Sequence, residues 1–371
     1  MREAGPAARA STVTTLAPER DGAEPTVSEE LAGFSARDLG DDRVRGQRRS
    51  LAGLLGAYAL TVFVLVTLNF FLPRVMPGDP IAALVTPEAA TFVHDETLRR
   101  ELRSYYGLDR PLGVQYLQYL GDLATGDLGT SIRYQTPVSR LVRERLPWTV
   151  LLTGSALTLA VAAGLLAGVH SAWRRGEPVD RGLLAVFLGL RNVPVFFLAS
   201  LAVFAFAVQL GWVPLAGART LFADTGGLLG QSADVAHHLL LPAAVLATQF
   251  AAGYYLVMRA NMVGELGADY LVLGRVKGLR ERRLKYRYAA RNALLPVVTL
   301  MALQVSHAVT GAVFVETVFA YPGMGRLLFD AVEFRDYPTL QACFLVLTLV
   351  VVTANFLADL AYRRLDPRTT R

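Results

Sequence analysis

The chain has 371 residues, of which 53% are hydrophobic and 18% charged, and a mean hydropathy of +0.37. Apolar runs of about twenty residues exclude a soluble domain and mark an all-α polytopic membrane protein. A formal net charge of +6 could suggest nucleic acid, but the positive residues cluster beside the apolar runs, where topology and anionic lipid account for them. The single cysteine, Cys343, excludes an intramolecular disulfide and a Cys-based zinc site, and reads as packing.

Residues 1–48 are rich in Ala, Gly, Glu, Asp and Pro, bury too little apolar surface to fold alone, and are expected as a disordered cytoplasmic tail. Arg43, Arg45, Arg48 and Arg49 then precede the uncharged run 51–73. This run is longer than a signal-peptide core and no small-residue cleavage pattern follows, so it reads as a retained first span with its N-terminus inside. Residues 74–147 read as a long extracytoplasmic segment, whose arginines do not contradict the topology because long loops escape the charge rule. Helices are predicted there over 97–106 and 114–123, the second placing Tyr116, Tyr119 and Leu120 at the interface.

The second span is expected over 148–171, followed by a cytoplasmic loop with Arg174, Arg175 and Arg181. The third occupies 190–210, and the loop to 237 carries a single basic side chain other than histidine, Arg219, the signature of the outside. The fourth, 238–258, ends at Arg259 and enters a basic loop over 263–293. The fifth covers 294–315, with Pro296 tolerated in its first turn; the sixth covers 339–362, and a short basic tail, 363–371, ends the chain inside. Six spans with both termini in the cytoplasm satisfy the charge rule at every short loop.

The loop 263–293 carries Arg275, Lys277, Arg280, Arg282, Arg283, Lys285, Arg287 and Arg291 against Glu265, Asp269 and Glu281. Val272, Val276 and Leu279 recur in it at helical spacing, Gly278 suits a helix stop, and Leu284 and Tyr288 restart an apolar stripe. The pattern predicts a short helix, a glycine break and a second, basic helix. Charge alone also fits a solvated loop that only fixes topology; the ordered stripe and the central glycine favour a docking surface.

No catalytic constellation is present. His170, His237, His238 and His307 fall in different segments, and there is no HExxH, GxSxG or GxxxxGK[ST] pattern. No metal site is expected, and the chain is not expected to bind or hydrolyse ATP. Within the spans Gln249, Gln304, Ser306, His307, Thr310 and Asn355 fit two roles, lining a hydrated path or bonding between helices. Glu316, ionisable at membrane depth, is a functional candidate. Arg191 either snorkels to the interface or meets a substrate carboxylate.

Several motifs occur in a family's order. They are Pro77-Gly78-Asp79-Pro80, Tyr106-Gly107-Leu108-Asp109, Gly126-Asp127-Leu128-Gly129-Thr130-Ser131, Lys277-Gly278-Leu279, Arg291-Asn292-Ala293-Leu294-Leu295-Pro296, Val315-Glu316-Thr317, Tyr321-Pro322-Gly323-Met324-Gly325 and Arg335-Asp336-Tyr337-Pro338. From about residue 51 onward the chain resembles the dipeptide, oligopeptide and nickel permeases of binding-protein-dependent ABC importers. The resemblance implies the type I importer architecture in a bacterial plasma membrane, with a cytoplasmic coupling helix. It places the ATPase contact at Tyr270, Lys277, Gly278, Leu279 and Glu281, with Arg282 and Arg283 beside it, and a gate at Glu316. Its implied partners are a homologous second permease, two ATPase subunits or domains that bind ATP and Mg, and an extracytoplasmic substrate-binding protein. Segment 74–147 then caps the pore mouth, docks that protein, or does both. Two departures stand out: Val272, Leu273, Gly274 and Val276 replace the small or polar residues common before the Lys-Gly pair, and Arg191 replaces an apolar or small residue. The alternative, a secondary transporter or channel not coupled to an ATPase, predicts inverted repeats or broken mid-membrane helices with paired charges.

Overall fold

The computed structural model describes residues 51–75, 109–220 and 227–365, with Arg100 and Ser104 between the first two stretches. The expected tail 1–48, all but Arg100 and Ser104 of the helix predicted over 97–106, and most of the tail 363–371 lie outside the described residues. Helix α1 (Leu51–Val75) is free of charge up to Arg74. Helix α2 (Leu112–Thr125) matches the second predicted extracytoplasmic helix, and Gly126 stops it at φ 77° by turning its N–H onto the Asp122 and Leu123 carbonyls. Helices α3 (Val138–Trp173, 36 residues) and α6 (Leu228–Glu265, 38 residues) start about ten residues before the spans expected there. At 1.5 Å per residue both exceed the roughly 30 Å hydrocarbon core, so each extends past it into the interface.

The third span differs from expectation. A helix α4 (Pro178–Asn192) occupies the stretch read as loop, and the chain then turns by 104° into α5 (Val195–Ala202), which continues in π-helical geometry over Val203–Gln209. Pro194 causes the break: it lacks an N–H and clashes with a helical residue before it, so Val193 is extended at φ −84°, ψ 125°. The Val193 carbonyl is recovered by Gln249 of α6, whose Nε2 donates to it at 3.3 Å. After α6 come α7 (Asp269–Val276), a single turn α8 (Glu281–Arg283), a π-helical stretch Leu284–Ala289, and α9 (Ala290–Ala293). They lead into α10 (Leu295–Val318), α11 (Met324–Glu333) and α12 (Tyr337–Leu365).

Four described helices are long and apolar enough to cross a membrane, α1, α3, α6 and α12, and the bent pair α4–α5 makes a fifth crossing if taken as one span. Helix α10, with 24 residues, also has the length to cross. Lipid offers no hydrophobic reward for helix association, so the core forms where small residues allow backbones to meet. Ala156, Ala160, Gly164 and Gly168 put one such stripe on α3 against Ala251, Tyr254, Tyr255 and Met258 of α6. A Cβ at Gly164 would lie 2.6 Å from Tyr254 Cβ and 2.7 Å from the Ala251 carbonyl oxygen; at Gly168 it would lie 2.9 Å from Met258 Cβ. A second cluster joins Val138, Leu141 and Val142 of α3 to Met324 and Leu327 of α11 and Cys343 of α12, which is wholly buried.

Candidate functional site

Helix α7 stops in a Schellman geometry, with Gly278 at φ 72°. The Gly278 N–H reaches the Arg275 carbonyl at 2.9 Å and the Leu279 N–H reaches Gly274 at 3.0 Å. The helix, glycine stop and basic restart expected from the sequence are all present. One face of α7 is pressed inward: Leu271 is buried, and Leu284 Cδ2 lies 2.5 Å from where a Cβ on Gly274 would sit. A Cβ at 274 would have to push that leucine methyl aside. The other face is apolar and open, with Val272 at 53%, Leu273 at 54% and Val276 at 80% exposure.

Of the residues expected at the ATPase contact, Lys277, Gly278, Glu281, Arg282 and Arg283 are exposed around this face. Glu281 pairs with Arg275 at 3.3 Å, both well solvated, so the pair holds little energy. Tyr270 and Leu279 are half-buried and support the helix from behind. Tyr270 donates its hydroxyl to Glu265, and burial followed by that bond pushes its phenol pKa up.

On the far side of the fold, Glu316 is 0% exposed. Its Oε1 accepts from Thr149 Oγ1 of α3 at 2.6 Å, and its Oε2 from the N–H groups of Gly325 at 2.7 Å and Arg326 at 3.1 Å. Thr149 Oγ1 in turn accepts the Met324 N–H at 2.7 Å. The carboxylate thus satisfies the open donors at the start of α11, a helix cap supplied from another helix. Gly323 makes room for it, since a Cβ there would lie 2.2 Å from the Glu316 carboxyl carbon.

A second acid repeats the device. Asp336 is 1% exposed; it accepts from the Ser131 hydroxyl, from Thr339 Oγ1 at 2.8 Å, and from the backbone of Ile132 at 3.2 Å and Arg133 at 3.3 Å. The motif ending in Ser131 is thereby clasped to the motif around Asp336, two sequence signals far apart in the chain. That contact was not readable from the motifs taken singly.

The polar residues of the spans divide. Ser306 Oγ donates to Asn355 Oδ1 at 3.0 Å, joining α10 to α12. Gln304 Nε2 lies against Gly253 of α6, 3.4 Å from where its Cβ would be. His307 and Thr310 are exposed along α10, while Gln249 is engaged at the α4–α5 break. Arg191 is exposed in the last turn of α4, where a cation complements the helix dipole. Among the described residues, the contacts of Gln249, Gln304 and Glu316 are separate and do not join these side chains to one another.

Residues 160–371 match a family described as binding-protein-dependent transport system inner membrane component. The chain belongs to this family. A Brucella suis biovar 1 (strain 1330) relative with a provisional peptide-permease name is 40% identical to the permease over 322 residues, 86% of this chain and 97% of its own. The oligopeptide transport system permease protein AppB of Bacillus subtilis (strain 168) is 36% identical over 323 residues, again 86% and 97%. Among solved structures, an inward-facing MetNI methionine ABC transporter aligns at TM-score 0.48 and 16% identity, over 61% of this chain and 96% of that one. Family membership and these curated relatives make the permease a membrane-embedded subunit of a binding-protein-dependent ABC importer, and membership implies association with ATPase subunits and a substrate-binding protein.

Proposed function

We propose that this permease is the transmembrane subunit of an ATP-driven importer for di- or oligopeptides or related small solutes. The peptide class is supported by the names of its relatives. The observation that carries the coupling role is the open apolar face of Val272, Leu273 and Val276 on a helix whose opposite face packs on Leu284, in the stretch that leads into the next span. An exposed apolar face braced from behind by Leu271 and Leu284 suits a groove on another protein better than it suits water. Lys277, Glu281, Arg282 and Arg283 form the polar rim around it. The chain provides a path and a coupling surface; ATP and Mg are bound, and ATP hydrolysed, in partner subunits. A homologous second permease completes the path, and both termini lie in the cytoplasm.

When the ATPases close on nucleotide they displace α7, and the Gly274–Leu284 contact passes that displacement to the spans as alternating access. Cells producing the whole complex, with other peptide importers removed, are expected to take up a defined tripeptide pool. Val272→Asp with Val276→Asp lowers that uptake about tenfold or more, because a charge in a desolvated anchor removes a hot spot. Undiminished uptake by the double variant contradicts the coupling role, and uptake that persists without ATP favours the uncoupled transporter.

A further inference from the structure

Asp180 is 3% exposed in the first turn of α4, and both its oxygens are engaged. Arg259, near the end of α6, donates Nε to Oδ1 at 2.7 Å and Nη2 to Oδ2 at 2.8 Å, a bidentate pair. Ser171 of α3 donates its hydroxyl to Oδ1, and the Gly176 N–H donates to Oδ2 at 2.9 Å. Ser171 Oγ also lies 2.7 Å from the Tyr255 hydroxyl of α6. Two turns further along α4, Phe187 stacks flat on the Tyr255 ring, with centroids 4.4 Å apart. The α3 residue before Ser171, His170, has Nδ1 3.1 Å from Lys285 Nζ. Lys285 follows Leu284, the side chain seated on Gly274 of α7. A continuous series of contacts therefore runs from α7 through Leu284 and Lys285 to α3, and from there to Asp180, α4 and α6.

Stability is a poor account of the Asp180–Arg259 pair. Desolvating two charges offsets most of their attraction, and well-packed apolar side chains often serve as well. What the pair adds is direction: a guanidinium fork on a carboxylate holds α4 against α6 in one orientation. We infer that Asp180 and Arg259 form a positioning latch that makes α4 and α6 follow α7 as one body. A displacement at the coupling surface then reaches the break at Val193 and Pro194. The latch rests on the coupling role proposed above. Contiguity alone transmits nothing; a shared rigid geometry with two arrangements does.

The test uses the full complex, purified with its ATPase and binding protein in lipid nanodiscs. Wild type, Arg259→Lys and the double variant Asp180→Asn, Arg259→Met are compared for ATPase retention, basal ATP hydrolysis and stimulation of hydrolysis by the binding protein. The double variant removes both charges of the pair together, so neither is left buried without the other; it is expected to keep the ATPase and basal hydrolysis while losing stimulation about fivefold or more. Arg259→Lys keeps the charge without the fork, and is expected to lose a smaller part. Full stimulation in the double variant overturns the latch. If the double variant does not assemble, full stimulation in Arg259→Lys overturns it instead. A wild-type complex that brings down no ATPase removes the coupling role itself, an outcome distinct from an ATPase-bearing complex that ignores the latch.

Discussion

Gly323→Ala is expected to destabilise the permease by about 3 kcal/mol, the upper end for forcing an atom into a packed site. The new Cβ would meet the Glu316 carboxylate at 2.2–2.3 Å, and the acid cannot retreat without releasing the Thr149 hydroxyl and two backbone donors. Glu316→Ala reaches a similar loss from the other side, since buried donors left without a partner cost about 1–3 kcal/mol each. Both are read as a fall in the thermal unfolding midpoint of the detergent-purified permease. A gate residue facing an open path behaves differently: Glu316→Ala would leave the midpoint where it was and change transport alone.

The second large effect is expected at Gly164. Its α carbon sits so close to α6 that any side chain meets Tyr254 Cβ and the Ala251 carbonyl, both parts of a rigid helix with nowhere to move. Gly164→Val should separate α3 from α6 at the centre of the fold and again cost about 3 kcal/mol. Gly154, on the same helix with open space around it, serves as the control and should tolerate alanine. Membrane-inserted yield and unfolding midpoint report both. Equal behaviour of the two variants would contradict the close packing of α3 on α6.

The basic loop was legible in the sequence because its signals are local. A glycine stop, a helical apolar period and a run of arginines each act within a turn or two, and α7, Gly278 and the restart at Leu284 all follow from them. Glu316 was legible only as an unusual residue. Its role as a cap depends on Thr149, 167 residues away in the chain, and on an N-terminus of α11 that no local pattern places beside it. Asp180 was missed altogether. Among Arg174, Arg175 and Arg181 it reads as one more loop charge, and its partner Arg259 reads as the basic end of a different span. The signal that could have found it is Glu177-Pro178 followed by an acid, the pattern of a helix start with a proline in the first turn. The same oversight produced the straight third span: Val193-Pro194 carries the bend, and reading the proline as a breaker gives the two helices observed.

The contact of α7 with an ATPase is tested most directly by placing a single thiol on its open face. In a Cys343→Ser background, Val276→Cys is labelled in native membranes with a short thiol-anchored photo-crosslinker, whose irradiated end inserts into any neighbouring side chain, and any adduct is identified by mass spectrometry. Leu117→Cys, also well exposed at 69% but on α2, is the control. Adducts between Val276→Cys and a nucleotide-binding subunit, absent from the control, are the result expected of a coupling helix. An adduct-free Val276→Cys in a complex that still transports would contradict it.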